Sequence, residues 1–290
     1  MKKDNIVVVC MFILLLFAGG AYAQQKEVRI LAIGNSFSTD AVEQYLHELA
    51  KSEGMSTIVG NMFIGGCSLE RHVKNARDKA PAYKYRKIGM DGKKVEQKNT
   101  TLEMALTDEE WDYISVQQAS PFSGMYETYE ASLPELVAYV KAHVSKKTKL
   151  MLHQTWAYAA NATNTSFKSY DCDQLTMYHA IVDAVRQAGK LCKIKIIIPS
   201  GTAIQNARTS FIGDHMNRDG YHLDLKIGRY TAACTWFERI FRRNVIGNSF
   251  APEGLEPSQK MVAQKAAHFA VKRPWQVTDL SELKIQNSSD

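Results

Sequence analysis

The sequence predicts an α/β protein, a three-layer α/β/α sandwich on a five-stranded parallel sheet. Three observations lead there. Short β-rich apolar runs recur along the chain, helical patterns separate them, and the runs KLMLH and KIIIP are apolar almost without alternation. Strands that alternate with helices point to a parallel sheet covered on both faces. Near-continuous apolar character is what a strand buried on both sides requires.

Taken in order, residues 28–33 form the first strand and residues 57–64 the second, which ends in Gly65-Gly66. Residues 113–116, 149–153 and 194–198 supply the third, fourth and fifth. Between the first two strands, residues 40–52 carry Val42, Tyr45, Leu46, Leu49 and Ala50 at helical spacing, with Gly54 in the position a C-cap prefers. Residues 129–144 and 175–188 are the next helical patterns, and residues 227–241 form a long helix after the fifth strand. One stretch breaks the alternation: residues 82–98 read as a β-hairpin with Asp91-Gly92 at its tip, lying at an edge of the site or the sheet. In such sheets ligands bind at the carboxyl ends of the strands, so the residues just after each strand are the ones to search.

The first 23 residues stand apart. Lys2 and Lys3 precede an unbroken apolar run of 12 residues, 6–17, and Ala21-Tyr22-Ala23 supplies the small residues of a cleavage site. This is the layout of a secretory signal peptide. A helix of that length reaches only ~18 Å, short of the ~30 Å bilayer core. The expectation is an exported protein, periplasmic or secreted, with residues 24–290 as one catalytic domain and no membrane span after cleavage. The net charge of +6 over 290 residues is mild and spread along the chain, which excludes a nucleic-acid track as the main partner. Cys67, Cys172, Cys192 and Cys234 remain after export, and their spacing leaves both disulfides and free thiols open. No H-x-x-x-H or H-E-x-x-H spacing occurs, so no metal site and no cofactor are expected.

Gly34-Asn35-Ser36 stands between the first strand and the first helix. A serine there has its own N–H beside a helix start, where partial positive charge favours an oxyanion. Most serines at such a position are simply helix caps. The block is not a G-x-S-x-G elbow, because residue 38 is serine. The segment Arg218-Asp219-Gly220-Tyr221-His222 changes the balance. An aspartate three residues before a histidine, across a glycine turn, can orient the imidazole while its other nitrogen faces a serine. Cys67 follows Gly66 and is the rival nucleophile, with little positive charge nearby to make a thiolate.

Together these blocks resemble the SGNH (GDSL-like) hydrolase superfamily over about residues 28–241. The resemblance implies a flavodoxin-like sandwich, Ser36 as nucleophile, and Asp219 and His222 as the rest of a triad. It also implies oxyanion donors at the Ser36 N–H and at a glycine after the second strand, best matched by Gly66. Two departures stand out. The first block is GNS rather than GDS, and the usual G-x-N-D third block is replaced by Val116-Gln117-Gln118-Ala119-Ser120. A glutamine amide offers the same N–H donor as asparagine. The run WDYISVQQAS resembles the W-D-x-x-x-x-Q block of some carbohydrate-active esterases, which places Gln117 in the oxyanion hole with Gln118 as its substitute. Asn35, Gln118, Gln154, Trp156 and Tyr221 are the expected substrate contacts. Trp156 and Tyr158, after the fourth strand, can make a platform for a sugar ring, and are at least as often simple packing under a loop.

The implied activity is ester hydrolysis through an acyl-enzyme, with O-acetyl on a carbohydrate as the expected substrate. A lipase- or thioesterase-like acyl hydrolase, and a non-catalytic glycan-binding protein on the same scaffold, are the alternatives.

Overall fold

A computed structural model describes residues 27–283, so the signal-peptide segment lies outside the described residues. The strands are β1 (Glu27–Gly34), β2 (Ser56–Phe63), β3 (Tyr83–Ile88), β4 (Lys94–Thr100), β5 (Tyr113–Val116), β6 (Lys149–His153) and β7 (Ile196–Ile198). They form one sheet in the order β4-β3-β2-β1-β5-β6-β7. From β2 to β7 every pairing is parallel, which is the expected five-stranded sheet. The sheet is nevertheless seven-stranded, because the hairpin β3–β4 pairs antiparallel onto the outer edge of β2. Tyr83, Tyr85 and Ile88 are buried on β3, so the hairpin brings apolar surface that is satisfied only on the sheet.

The helices are α1 (Ser36–Val42), α2 (Leu46–Ser52), α3 (Leu69–Arg77), α4 (Leu102–Leu106), α5 (Tyr126–His143), α6 (Gln174–Leu191), α7 (Ser200–Arg208), α8 (Ile227–Phe241) and α9 (Pro257–Lys272). Their contacts form two groups, α1, α2, α7, α8 and α9 in one and α3, α4, α5 and α6 in the other, with α6 and α7 meeting between them. The single helix expected over residues 40–52 is two. Tyr45 separates α1 from α2 in a left-handed conformation, φ 68°, that no local propensity favours. Tertiary contacts hold it there: its hydroxyl donates to the Leu225 carbonyl at 2.8 Å, and its ring packs against Tyr230 and Phe250.

Strand order reverses at β1, whose chain-order successor β2 lies on one side and β5 on the other. The crevice at such a reversal is where open α/β sheets bind ligands. Ser36 leaves β1 at that crevice, and Gln117 leaves β5.

Candidate active site

Asn35 caps α1, its Oδ1 accepting the Phe37 N–H at 3.0 Å. Ser36 is the first residue of that helix, so its N–H has no intrahelical partner. Gly34 permits the strand-to-helix turn to pack closely: a Cβ there would lie 2.6 Å from Ser38 Oγ and 3.0 Å from the Gln117 side chain. Across the cleft, Gly66 adopts φ +61°, a region open to glycine at no steric cost. The next residue closes the turn, the Cys67 N–H donating to the Ile64 carbonyl at 3.2 Å.

The loop from Asn217 to Leu223 is pinned by a bridge between those two residues. Asp219 organises its tip. Its Oδ1 accepts the N–H of Tyr221 at 3.2 Å and of His222 at 2.7 Å, and its Oδ2 lies 2.7 Å from His222 Nδ1. Burial pushes the Asp219 carboxyl up, but those hydrogen bonds outweigh it and hold the group below the usual carboxylate range. A carboxylate only accepts, so Nδ1 carries a proton and, in the neutral ring, Nε2 is the free acceptor. Ser36 and His222 line one cleft of about 410 Å³, together with Asn35, Gly65, Gly66, Ser120, Tyr158 and Tyr221. No hydrogen bond joins Ser36 Oγ to His222 Nε2 in the structure; catalytic contacts of this kind often close only with substrate bound.

Helix α1, which carries Ser36, and the histidine loop are tied by Asp40, a residue that sequence reasoning missed. It is buried on α1 and accepts the Leu223 N–H at 2.9 Å. Arg229 Nε lies 2.8 Å from its Oδ1, and Arg218 Nη1 lies 3.2 Å from both carboxylate oxygens. Arg218 also donates to the Leu223 carbonyl. An aspartate on the buried face of a helix was the available signal, since such a charge is kept only when paired.

The other expected site residues are placed differently. Gln117 is buried behind the cleft, its Nε2 donating to Asn35 Oδ1 at 2.9 Å and its Oε1 lying 2.8 Å from His153 Nδ1. Gln118 is buried too: Oε1 accepts the N–H groups of Leu69 and Ala119, and Nε2 donates to Thr128. Gln154 and Trp156, both 0 % exposed, cannot touch a substrate, which corrects that expectation. Gln154 accepts from the N–H and hydroxyl of Thr202 and donates to the Pro274 carbonyl. Trp156 stacks on Phe37 with centroids 4.4 Å apart and donates Nε1–H to the Tyr221 carbonyl at 2.7 Å. It braces the turn at Ser36 against the histidine loop.

The polar rim comes from hydroxyls: Ser120 Oγ lies 3.0 Å from Tyr158 OH, which lies 3.2 Å from Ser166 Oγ. A second groove of about 1000 Å³ runs between α3 and α5. The same two chain segments contribute to both, Gly66 and Ser120 lining the cleft and Ser68 and Phe122 the groove. The four cysteines among the described residues are free thiols. Burial pushes the Cys67 thiol up to about 12, which removes it as a nucleophile at neutral pH. Among the described residues no group of three or more His, Cys, Asp or Glu side chains could hold a metal ion.

The fold is α/β, a mostly parallel sheet flanked by helices, and it matches the fold of an SGNH hydrolase neighbour. The chain belongs to the family described as DUF4886, a domain of unknown function, whose profile matches residues 29–270. It is similar to a DUF4886 family protein from Bacteroides uniformis, with 66% identity and a TM-score of 0.88 over 89% of this chain and 100% of that one. A protein from Slackia heliotrinireducens, provisionally named an SGNH hydrolase, matches at 21% identity and a TM-score of 0.52, covering 74% of this chain and all of that one. Axe2, an acetylxylan esterase from Geobacillus stearothermophilus, matches at 14% identity and a TM-score of 0.47 over 79% of this chain and 98% of that one. Comparison with curated protein sequences gives no match.

Proposed function

We propose that the protein is an exported serine esterase. Ser36 attacks the ester carbonyl, His222 takes up the serine proton and returns it to the leaving alcohol, and Asp219 holds His222 in the required tautomer. Water then repeats the sequence on the acyl-enzyme. The N–H groups of Ser36 and Gly66 bind the oxyanion. The observation that carries this reading is the His222–Asp219 contact of 2.7 Å on a loop whose imidazole shares one cleft with Ser36.

The substrate is a short acyl ester, O-acetyl on a carbohydrate. Support comes from the size of the cleft around Ser36 and the hydroxyls at its rim. The cleft is small and rimmed by Ser120, Tyr158 and Ser166, which suits a short acyl group rather than a lipid chain. The neighbouring groove carries Ser68, Glu70, Arg71, Lys74 and Thr128 among its lining residues, polar side chains suited to a hydroxyl-rich alcohol.

The test is p-nitrophenol release from the acetate and from longer acyl esters, with wild type beside Ser36→Ala. Turnover of the acetate that falls at least ~10³-fold in the variant supports the nucleophile. Equal turnover in the variant sinks the triad, and a preference for long acyl chains overturns the acetyl assignment.

A further inference from the structure

Gln117 occupies the place of an oxyanion donor in the sequence, yet its amide is turned away from the cleft. We infer that Gln117 and His153 are positioning residues, members of a one-way hydrogen-bond chain from Ser200 through His153, Gln117 and Asn35 to the Cys67 carbonyl that sets the two oxyanion N–H groups. This deepens the esterase reading and rests on it for its catalytic consequence.

The direction of the chain follows from its fixed ends. The Phe37 N–H can only donate, so the Asn35 atom it meets at 3.0 Å is the oxygen. The other Asn35 atom is then Nδ2, which faces a group that can only accept, the Cys67 carbonyl at 3.1 Å. Because Asn35 Oδ1 accepts, the Gln117 atom 2.9 Å away must be its Nε2 donor. That leaves Gln117 Oε1 toward His153 Nδ1 at 2.8 Å, so Nδ1 carries the hydrogen. His153 is neutral, burial having pushed its pKa down to about 3. Its Nε2 therefore accepts, and the Ser200 hydroxyl 3.0 Å away donates. Each group has one consistent role and no amide can flip without breaking two bonds.

The position of the chain gives it its effect. Asn35 immediately precedes Ser36, and Cys67 immediately follows Gly66. The Asn35 amide therefore grips both halves of the oxyanion site, with Gln117 fixing the plane of that amide. Asn35, Gln117, His153 and Ser200 are at most 2 % exposed, so water does not substitute for a lost member. The edge of the His153 ring lies against Trp236, with centroids 5.1 Å apart, and Trp156 packs at 6.1 Å. The chain crosses the carboxyl ends of β1, β5 and β6 and ends on α7, so it also locks neighbouring strands together.

The experiment combines kinetics on p-nitrophenyl acetate with the tautomer of His153. Gln117→Leu and His153→Phe should each lower kcat roughly 10- to 100-fold with little change in KM, the size of loss a misplaced catalytic group causes. The double variant should lose no more than the worse single, as members of one chain are not additive. If Gln117 instead donated to the oxyanion directly, His153→Phe would leave kcat unchanged, and the chain would be refuted. Should His153→Phe fail to fold, His153→Asn replaces it in the cycle. Nitrogen-15 NMR of the full-length protein in the Ser36→Ala background reads the tautomer without activity. A protonated Nδ1 that becomes unprotonated or mixed in Gln117→Leu supports the chain even if no esterase substrate is found. A protonated Nε2 in the wild type overturns it.

Discussion

Asp219 and Gln117 show how one polar side chain fixes another. Asp219 is the more exposed of the two, and its hydrogen bonds to Tyr221 and His222 keep it ionised below the usual carboxylate range. Loss of activity on mild acidification is therefore not protonation of Asp219. Asp219→Asn retains an oxygen for the two backbone N–H groups but presents an amide to His222 Nδ1, which forces the opposite tautomer. We expect kcat to fall by about 10²–10⁴ with the melting temperature nearly unchanged; unchanged turnover in steady-state assays would remove Asp219 from the triad. That Ser36 and His222 share one cleft, with Asp219 beside His222, was legible because each stands at a strand end or in a short block whose internal spacing fixes its geometry. Gln154 and Trp156 stand at a strand end too, and sequence does not tell whether such a side chain turns to the cleft or to the layer beneath. Burial decided it, and His153 was hidden for the same reason.

At the scale of elements, β5, β6 and α8 lie where periodicity puts them, and the hairpin tip is at Asp91-Gly92 as the turn chemistry requires. The break at Tyr45 was not legible, because its causes are Leu225, Tyr230 and Phe250, far along the chain. Helices α3 and α9 were not read from the sequence, although both carry cap signals: Ser68 accepts the Arg71 N–H, and Glu256 and Gln259 form a capping box with Pro257 at the first position. The short helix α1 depends on a partner element for its orientation. Asp40 fastens it to Arg218, Arg229 and Leu223 across the site. Removing one partner of a buried ion pair leaves the others uncompensated, and Asp40→Ala should cost about 3 kcal/mol by urea denaturation. It should also lower kcat, since the histidine loop loses its register to Ser36. A stability loss under about 0.5 kcal/mol, the level of an ordinary surface change, would contradict the clamp.

For the whole molecule, two buried histidines set the acid limit. His72 stacks on Tyr83 with Nδ1 3.0 Å from its hydroxyl, and burial, aided by the charge of Arg71, pushes its pKa down to about 3. Burial does the same to His153. In the unfolded chain both titrate near ~6.5, so between that pH and about 3 the unfolded state binds more protons. Stability is therefore lost as pH falls through this window, with a slope approaching two protons. Urea midpoints at pH 7 and pH 5 should show the fall, and His72→Phe should flatten it by about one proton; a flat profile in the wild type would contradict it. The sheet has a further consequence at high concentration. Its outer strands are β4 and β7, and an open strand edge is a template on which another chain can add. β4 is almost wholly solvent-facing and carries Lys94, Glu96 and Lys98, so like charges and hydration oppose a second strand there. β7 is only three residues long, and Arg239 donates to its Ile197 carbonyl at 3.0 Å. Neither margin invites fibrous assembly, so crowded copies of this protein are kept from polymerising through their sheets.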